Sequence, residues 1–195
     1  EESRKKNQVH QMSFAPSKNI GNGTRRSVIY DKLVGVPFLD EPEINTTVKI
    51  LKRNAGLFKD NNFLGHRPNL ANGALGGYVW KSYGQTYEDV LNLGRGLTSI
   101  FGFRPDKQGE GQVRIGIYTI NRPEALESLL GVWSIRGVAV PLYDSLGTNA
   151  ISFIIDHSEL TTVLVERSKL QSLLKGKGGG TLKNVVLFED PTEAE

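Results

Sequence analysis

Val113-Arg114-Ile115-Gly116-Ile117-Tyr118-Thr119-Ile120 runs straight into Asn121-Arg122-Pro123-Glu124, and Val138-Ala139-Val140 comes next in the same apolar style. The first string is short and mostly apolar, as expected of a strand covered on both faces. Pro123 early and Glu124 in the first turn mark a helix start, because proline costs no bond there and a carboxylate suits the positive end of the helix. Leu126, Leu129, Leu130 and Trp133 form its expected buried stripe, each worth about 1.5–3 kcal/mol when fully buried. Gly137 closes the helix and Val138–Val140 opens the next strand. Strand, helix and strand at this spacing make a parallel unit with a right-handed crossover.

Toward the carboxyl end the pattern repeats. Asp144 to Thr148 is a turn into a helix over 148–157, Thr162–Val165 a strand, Ser168–Leu174 a helix and Val185–Phe188 a strand. The expected fold class is therefore α/β, built on a parallel βαβ layer. Val140-Pro141-Leu142-Tyr143-Asp144-Ser145-Leu146-Gly147 is its most distinctive run. It reads as a strand stopped by Pro141, with Asp144 complementing the dipole of a helix that starts at Ser145 or Thr148. That turn lies at the carboxyl edge of the sheet, where open α/β folds place ligands.

Toward the amino end, Val90, Leu93, Leu97 and Ile100 recur at helical spacing behind Thr86-Tyr87-Glu88-Asp89, which reads as a capping box with Asp in place of Glu. Gly94 and Gly96 lie inside that helix at a cost of about 1 kcal/mol each against Ala, which points to close packing of another backbone. Residues 62–65 and 77–83 read as two strands of a small antiparallel element. Tyr78 and Trp80 share one face of the second and read as sheet packing. Ile44, Val48, Leu51, Ala55 and Phe58 give a helix near 44–58. Lys49, Lys52, Arg53 and Lys59 fall on its other side, a solvated face in the plain reading and an approach to an anionic membrane surface in the sharper one. Residues 1–29 are expected to be a disordered polar arm, and residues 30–195 the folded part.

The chain has 195 residues, 24 Lys+Arg against 21 Asp+Glu, and a formal net charge of +3. That charge is scattered and gives no phosphate-binding footprint, which disfavours nucleic acid. No cysteine is present, which excludes thiol catalysis, disulfide scaffolds and iron–sulfur sites within these residues. No apolar run reaches the roughly 18 residues of a membrane span.

Nucleotide and hydrolase signatures are missing. Gly176-Lys177-Gly178-Gly179-Gly180 follows a helix instead of joining a strand to a helix, and reads as a surface loop. Neither G-x-x-x-x-G-K-[ST] nor G-x-G-x-x-G occurs. Asp156-His157-Ser158 collects three catalytic residue types, but neighbours on a helix point about 100° apart and cannot relay one proton. His157 reads instead as a cap at a helix end. No G-x-S-x-G elbow and no H-E-x-x-H is found.

Four strings together carry a resemblance: Phe63-Leu64-Gly65-His66-Arg67-Pro68, Gly77-Tyr78-Val79-Trp80, Tyr118-Thr119-Ile120-Asn121-Arg122-Pro123-Glu124 and Val140–Gly147, continued by Ala150–Glu159. In order and spacing they resemble the amino-terminal part of eukaryotic long-chain fatty-acid–CoA ligases, of the adenylate-forming (AMP-binding) superfamily, over residues 30–190. Ser145 stands where many relatives have Thr. The resemblance implies a two-step reaction. A fatty-acid carboxylate attacks the α-phosphate of Mg²⁺-ATP and expels pyrophosphate; coenzyme A thiol then attacks the acyl carbonyl and releases AMP. It also implies a place on the cytosolic face of endoplasmic reticulum, peroxisome or lipid droplet.

The family's Ser/Thr/Gly-rich phosphate string ending in Pro-Lys-Gly has no counterpart here, so no catalytic, cofactor-binding or metal-binding residue is assigned. The expectation is a fragment of a long-chain fatty acid–CoA ligase, without an initiating Met, that supplies scaffold and makes no acyl-CoA alone. ATP, Mg²⁺, coenzyme A and long-chain fatty acid belong to the parent enzyme. The alternative is a non-catalytic α/β binding or interaction module.

Overall fold

The computed structural model describes residues 17–27, 38, 40–103, 113–143, 148–176 and 179–190. The chain divides into two compact units, residues 1–45 and 46–195.

In the first unit, β1 (Ser17–Asn19) and β2 (Arg25–Ser27) form an antiparallel hairpin. Gly21, Asn22 and Gly23 all take positive φ in its turn, which glycine and asparagine tolerate best.

The second unit opens with α1 (Thr47–Leu57), whose first turn is capped by the Thr46 side chain, accepting from the Lys49 amide. Strands β3 (Asn62–His66) and β4 (Val79–Ser82) pair antiparallel, and α2 (Tyr83–Ile100) begins directly at the end of β4. The capping box is therefore Ser82 with Gln85, not Thr86 with Asp89. The apolar periodicity starts at Val90, whereas the helix itself starts at Tyr83, right after the last strand residue. Thr86 is buried in the first turns instead.

Strands β5 (Arg114–Tyr118), β6 (Val138–Leu142), β7 (Thr162–Val165) and β8 (Asn184–Leu187) make one parallel sheet in the order β6-β5-β7-β8. The crossovers are α3 (Pro123–Ser134), α4 (Thr148–His157) and α5 (Arg167–Lys175). Pleating sends alternate residues to opposite faces. Ile115, Leu164 and Val186 pack with Leu97 of α2 and Val132 of α3. Tyr118, Val163 and Val165 pack with Ile151 and Ile155 of α4 and Leu170 and Leu173 of α5. The result is a three-layer α/β/α unit, with a further small core of Leu51, Val90 and Leu130 where α1, α2 and α3 meet.

Three details differ from expectation. Strand β6 continues through Pro141 to Leu142; as the edge strand it can carry a residue with no N–H to give. Trp133 and Ile100 are exposed, and Val132 is buried against the sheet with Ile115 and Leu164. Helices α2 and α3 pack closely: a methyl group at Gly94 would lie 2.3 Å from Ser134 Oγ. Gly96 has open space around it and marks no such approach. The turn Asp144–Gly147, with its expected dipole contact and helix start at Ser145, lies outside the described residues.

Candidate functional site at the carboxyl edge of the sheet

Strand β5 ends at Tyr118, and the chain then turns outward through Thr119, Ile120 and Asn121 to the start of α3. This turn faces the end of β3, and the two enclose a cleft of about 650 Å³ lined by Leu64, His66, Arg67, Tyr78, Asn121 and Arg122 among others. Arg67 holds the far wall in place: its guanidinium donates to the Gly76 carbonyl at 2.7 Å and the Leu75 carbonyl at 3.1 Å.

Beneath the cleft, the carboxyl ends of three neighbouring strands deliver one polar network. Glu166 follows β7 directly and is only 3% exposed. Its carboxylate accepts from the Thr119 hydroxyl at 2.8 Å, the Ile120 amide at 3.1 Å and the Ser168 hydroxyl. Glu189, just beyond β8, accepts from Arg122 and from the Arg167 amide. Arg122 also donates to Glu124 at 2.8 Å, lies 4.0 Å from Glu166 and covers the Phe188 ring at 5.5 Å.

The electrostatics follow from these contacts. Burial pushes the Glu166 carboxyl upward, but the Ser168, Ile120 and Thr119 donors outweigh it and hold the group below its ordinary value. Glu189 is lowered in the same way by Arg122 and the Arg167 amide against burial, and Glu124 by Arg122 against burial. Arg122 is raised, chiefly by its bond to Glu124. All members are therefore charged near neutrality, and the network acts as a clamp that fixes the Thr119–Arg122 turn.

A second ion cluster ties β4 to α2 and α3. Lys81 of β4 reaches Asp89 of α2 at 2.8 Å and Glu127 of α3 at 2.7 Å. Burial raises the Glu127 carboxyl, with Lys81 opposing; Lys81 itself is raised because its two carboxylate bonds exceed the effect of burial.

Among the described residues no group of three His, Asp or Glu side chains is arranged to hold a metal. The acids below the cleft already accept from Arg122, Thr119, Ile120, Ser168 and Arg167, so their chemistry does not fit a Mg²⁺ ion.

His66 lines the cleft, whereas His157 lies on α4 with its ring stacked on Phe153 at 5.2 Å. The end of α4 is closed by backbone amides, with Leu160 donating to Ile155, rather than by the imidazole. Asp156 accepts from the Gly179 amide at 2.8 Å. These adjacent residues serve separate contacts, in keeping with their divergent directions on the helix. Glu166 and Glu189 were not singled out from sequence. The available signal was an acid placed directly after an apolar strand, in Val163-Leu164-Val165-Glu166 and Val185-Val186-Leu187-Phe188-Glu189.

The AMP-binding enzyme family model matches residues 57–195. Long chain acyl-CoA synthetase 1 of Arabidopsis thaliana is 33% identical over 170 residues, spanning 86% of this chain and 24% of that protein. Long chain acyl-CoA synthetase 7, peroxisomal, of the same plant is 33% identical over 70% of this chain and 18% of its own length. Among solved structures, the anthranilate CoA ligase AuaEII in complex with anthranoyl-AMP superposes with a TM-score of 0.60 at 18% identity, over 72% of this chain and 24% of that one. The chain thus spans about a quarter of the length of the curated relatives it matches first.

Proposed function

The chain belongs to the AMP-binding enzyme family, and from that premise we propose that it is part of an ATP-dependent long-chain fatty acid–CoA ligase, to which it contributes scaffold. One observation carries this reading. Three strings separated in sequence, within 63–68, 77–80 and 118–124, converge on one cleft at the carboxyl edge of the parallel sheet. That edge is where open α/β folds bind ligands.

On this reading, residues 30–195 are the opening part of the AMP-binding domain. The Thr119–Arg122 turn, clamped by Glu166 and Glu189, forms a fixed wall beside bound substrate. Its rigidity matters because adenylation requires a carboxylate held in line with a phosphorus atom, and positioning of this kind lowers the barrier before any chemistry begins. The groups that offset phosphate charge, including Mg²⁺, belong to other parts of the enzyme. In the whole enzyme the work takes place at the cytosolic face of endoplasmic reticulum, peroxisome or lipid droplet.

The test is palmitoyl-CoA synthesis by the product of the whole reading frame that encodes these residues. Formation of palmitoyl-CoA with AMP and pyrophosphate in equal amounts is expected. A product that folds and binds partners but consumes no ATP would favour a non-catalytic module.

A further inference from the structure

The loop that Arg67 braces is already closed by backbone bonds: the Leu70 amide donates to the Ala74 carbonyl at 2.8 Å, Gly73 to Leu70 at 2.9 Å and Gly76 to Pro68 at 2.8 Å. The bracing therefore fixes the guanidinium as much as the loop. Arg67 Nε reaches the Gly76 carbonyl and Nη2 the Leu75 carbonyl. A guanidinium carries five N–H donors, and these two lie along one side of it. The fork formed by its two terminal nitrogens stays open, and such a fork pairs with a carboxylate or a phosphate. Both partners of Arg67 are carbonyls, so its charge is not neutralised, and among the described residues no acid pairs with it.

An aromatic surface lies in the same cleft. Trp80 packs over Gly65 of the paired strand, where a side-chain carbon would come within 2.6 Å of the indole. Tyr78 stacks on Trp80 with ring centroids 5.4 Å apart, yet it is 63% exposed and lines the cleft with Arg67. Of the two, only Trp80 is the sheet packing that their spacing suggests. An exposed ring and an open guanidinium fork in one cleft match a purine nucleotide, whose base stacks and whose phosphate takes the fork. A polyphosphate laid across the floor is disfavoured, because Glu124, Glu166 and Glu189 share Arg122 there. A single phosphate at the Arg67 wall avoids them.

We propose that Arg67 and Tyr78 are binding residues for coenzyme A, Arg67 holding its ribose 3′-phosphate and Tyr78 stacking on its adenine. The choice of ligand rests on the ligase reading. The reacting carboxylate needs its lone pairs for attack on phosphorus, and on that reading the triphosphate is handled elsewhere. The 3′-phosphate sits at the end of coenzyme A away from the thiol, so a firm grip on it leaves the reacting atoms free.

The experiment is calorimetric titration of the product of the whole reading frame with coenzyme A and with dephospho-coenzyme A, which lacks only the 3′-phosphate. Coenzyme A is expected to bind about 10- to 100-fold more tightly, the range of a charge-assisted bond. Arg67→Met is expected to abolish that preference while leaving the affinity for dephospho-coenzyme A within about twofold. Arg67→Lys is expected to keep part of it, because the charge remains and the fork is lost. Tyr78→Ala is expected to weaken both ligands alike, by about 10-fold. No preference in the parent, a preference retained by Arg67→Met, or equal weakening of both ligands by Arg67→Met would overturn the proposal. The last is what a purely structural brace would give. Palmitate-dependent ATP–pyrophosphate exchange by the same product needs no coenzyme A and tests the ligase reading separately. Exchange without the phosphate preference sinks this assignment alone, and the preference without exchange sinks the ligase reading alone.

Discussion

Replacing Glu166 by Gln keeps the shape of the side chain and removes its charge, which makes it the sharpest probe of the clamp. The carboxylate accepts from Thr119, Ile120 and Ser168 while almost fully buried. A Gln carbonyl can take over the Thr119 and Ile120 bonds, and its amide can donate to the Ser168 hydroxyl, which is free to rotate. What disappears is charge assistance, which roughly doubles such bonds. The expected cost at neutral pH is about 1–2 kcal/mol. Glu166→Ala differs in kind, because it removes the acceptor of the Ile120 amide and the Ser168 hydroxyl and opens a cavity; about 3–4 kcal/mol is expected.

The pH dependence has a definite sign. The folded Glu166 carboxyl lies below its ordinary value of about 4.3. Its contribution is therefore fully present above that value and is lost as pH falls through the folded value. The stability gap between the parent and Glu166→Gln should close on going from pH 7 toward pH 3. Urea unfolding at several pH values, followed by far-UV circular dichroism, measures it. A gap that is independent of pH, or a Gln variant as damaged as the Ala variant, would refute the reasoning.

Other substitutions read the packing. Gly94→Ala should destabilise by about 1–3 kcal/mol in the same melts, since the methyl would meet Ser134 at 2.3 Å, whereas Gly96→Ala, with nothing nearby, should stabilise by up to about 1 kcal/mol. Arg136 closes α3 with φ of 61°, so Arg136→Gly should raise stability by about 0.5–1 kcal/mol, visible as a higher Tm. Lys81→Met should cost about 2 kcal/mol by leaving buried Glu127 without its cation, and adding Glu127→Gln should recover part of that loss in a double-mutant cycle.

The parallel layer was legible because strands covered on both faces must be apolar, and Val113–Ile120, Thr162–Val165 and Val185–Phe188 announce themselves by composition. The helix near 44–58 was equally plain from its stripe. Boundaries set by tertiary contact were not. Ser82 ends a strand and caps a helix at once; Ser82-Tyr83-Gly84-Gln85 fits the capping pattern better than Thr86–Asp89 does, but Gly84 and the apolar strand before it mask the helix start. Trp133 falls on the apolar stripe by spacing, yet it is exposed while Val132 packs against Ile115 and Leu164 of the sheet. The clamp was hidden for a related reason: Thr119, Arg122, Glu166 and Glu189 are far apart in sequence, and only the order β5-β7-β8 makes them neighbours. Of the cleft, the sequence pattern pointed to the carboxyl edge of the sheet, and there the described lining comes from the turn after β5.

The central claim is that these residues wall a ligase site whose phosphate-handling groups lie elsewhere in the enzyme. Palmitate-dependent ATP–pyrophosphate exchange tests it most directly, measured on the 195-residue chain alone, on the product of the whole reading frame, and on the chain mixed with the separately produced remainder. Exchange by the whole product, restoration on mixing and none by the chain alone are expected. Exchange by the isolated chain at the rate of the whole product would contradict it, as would a folded whole product that exchanges nothing.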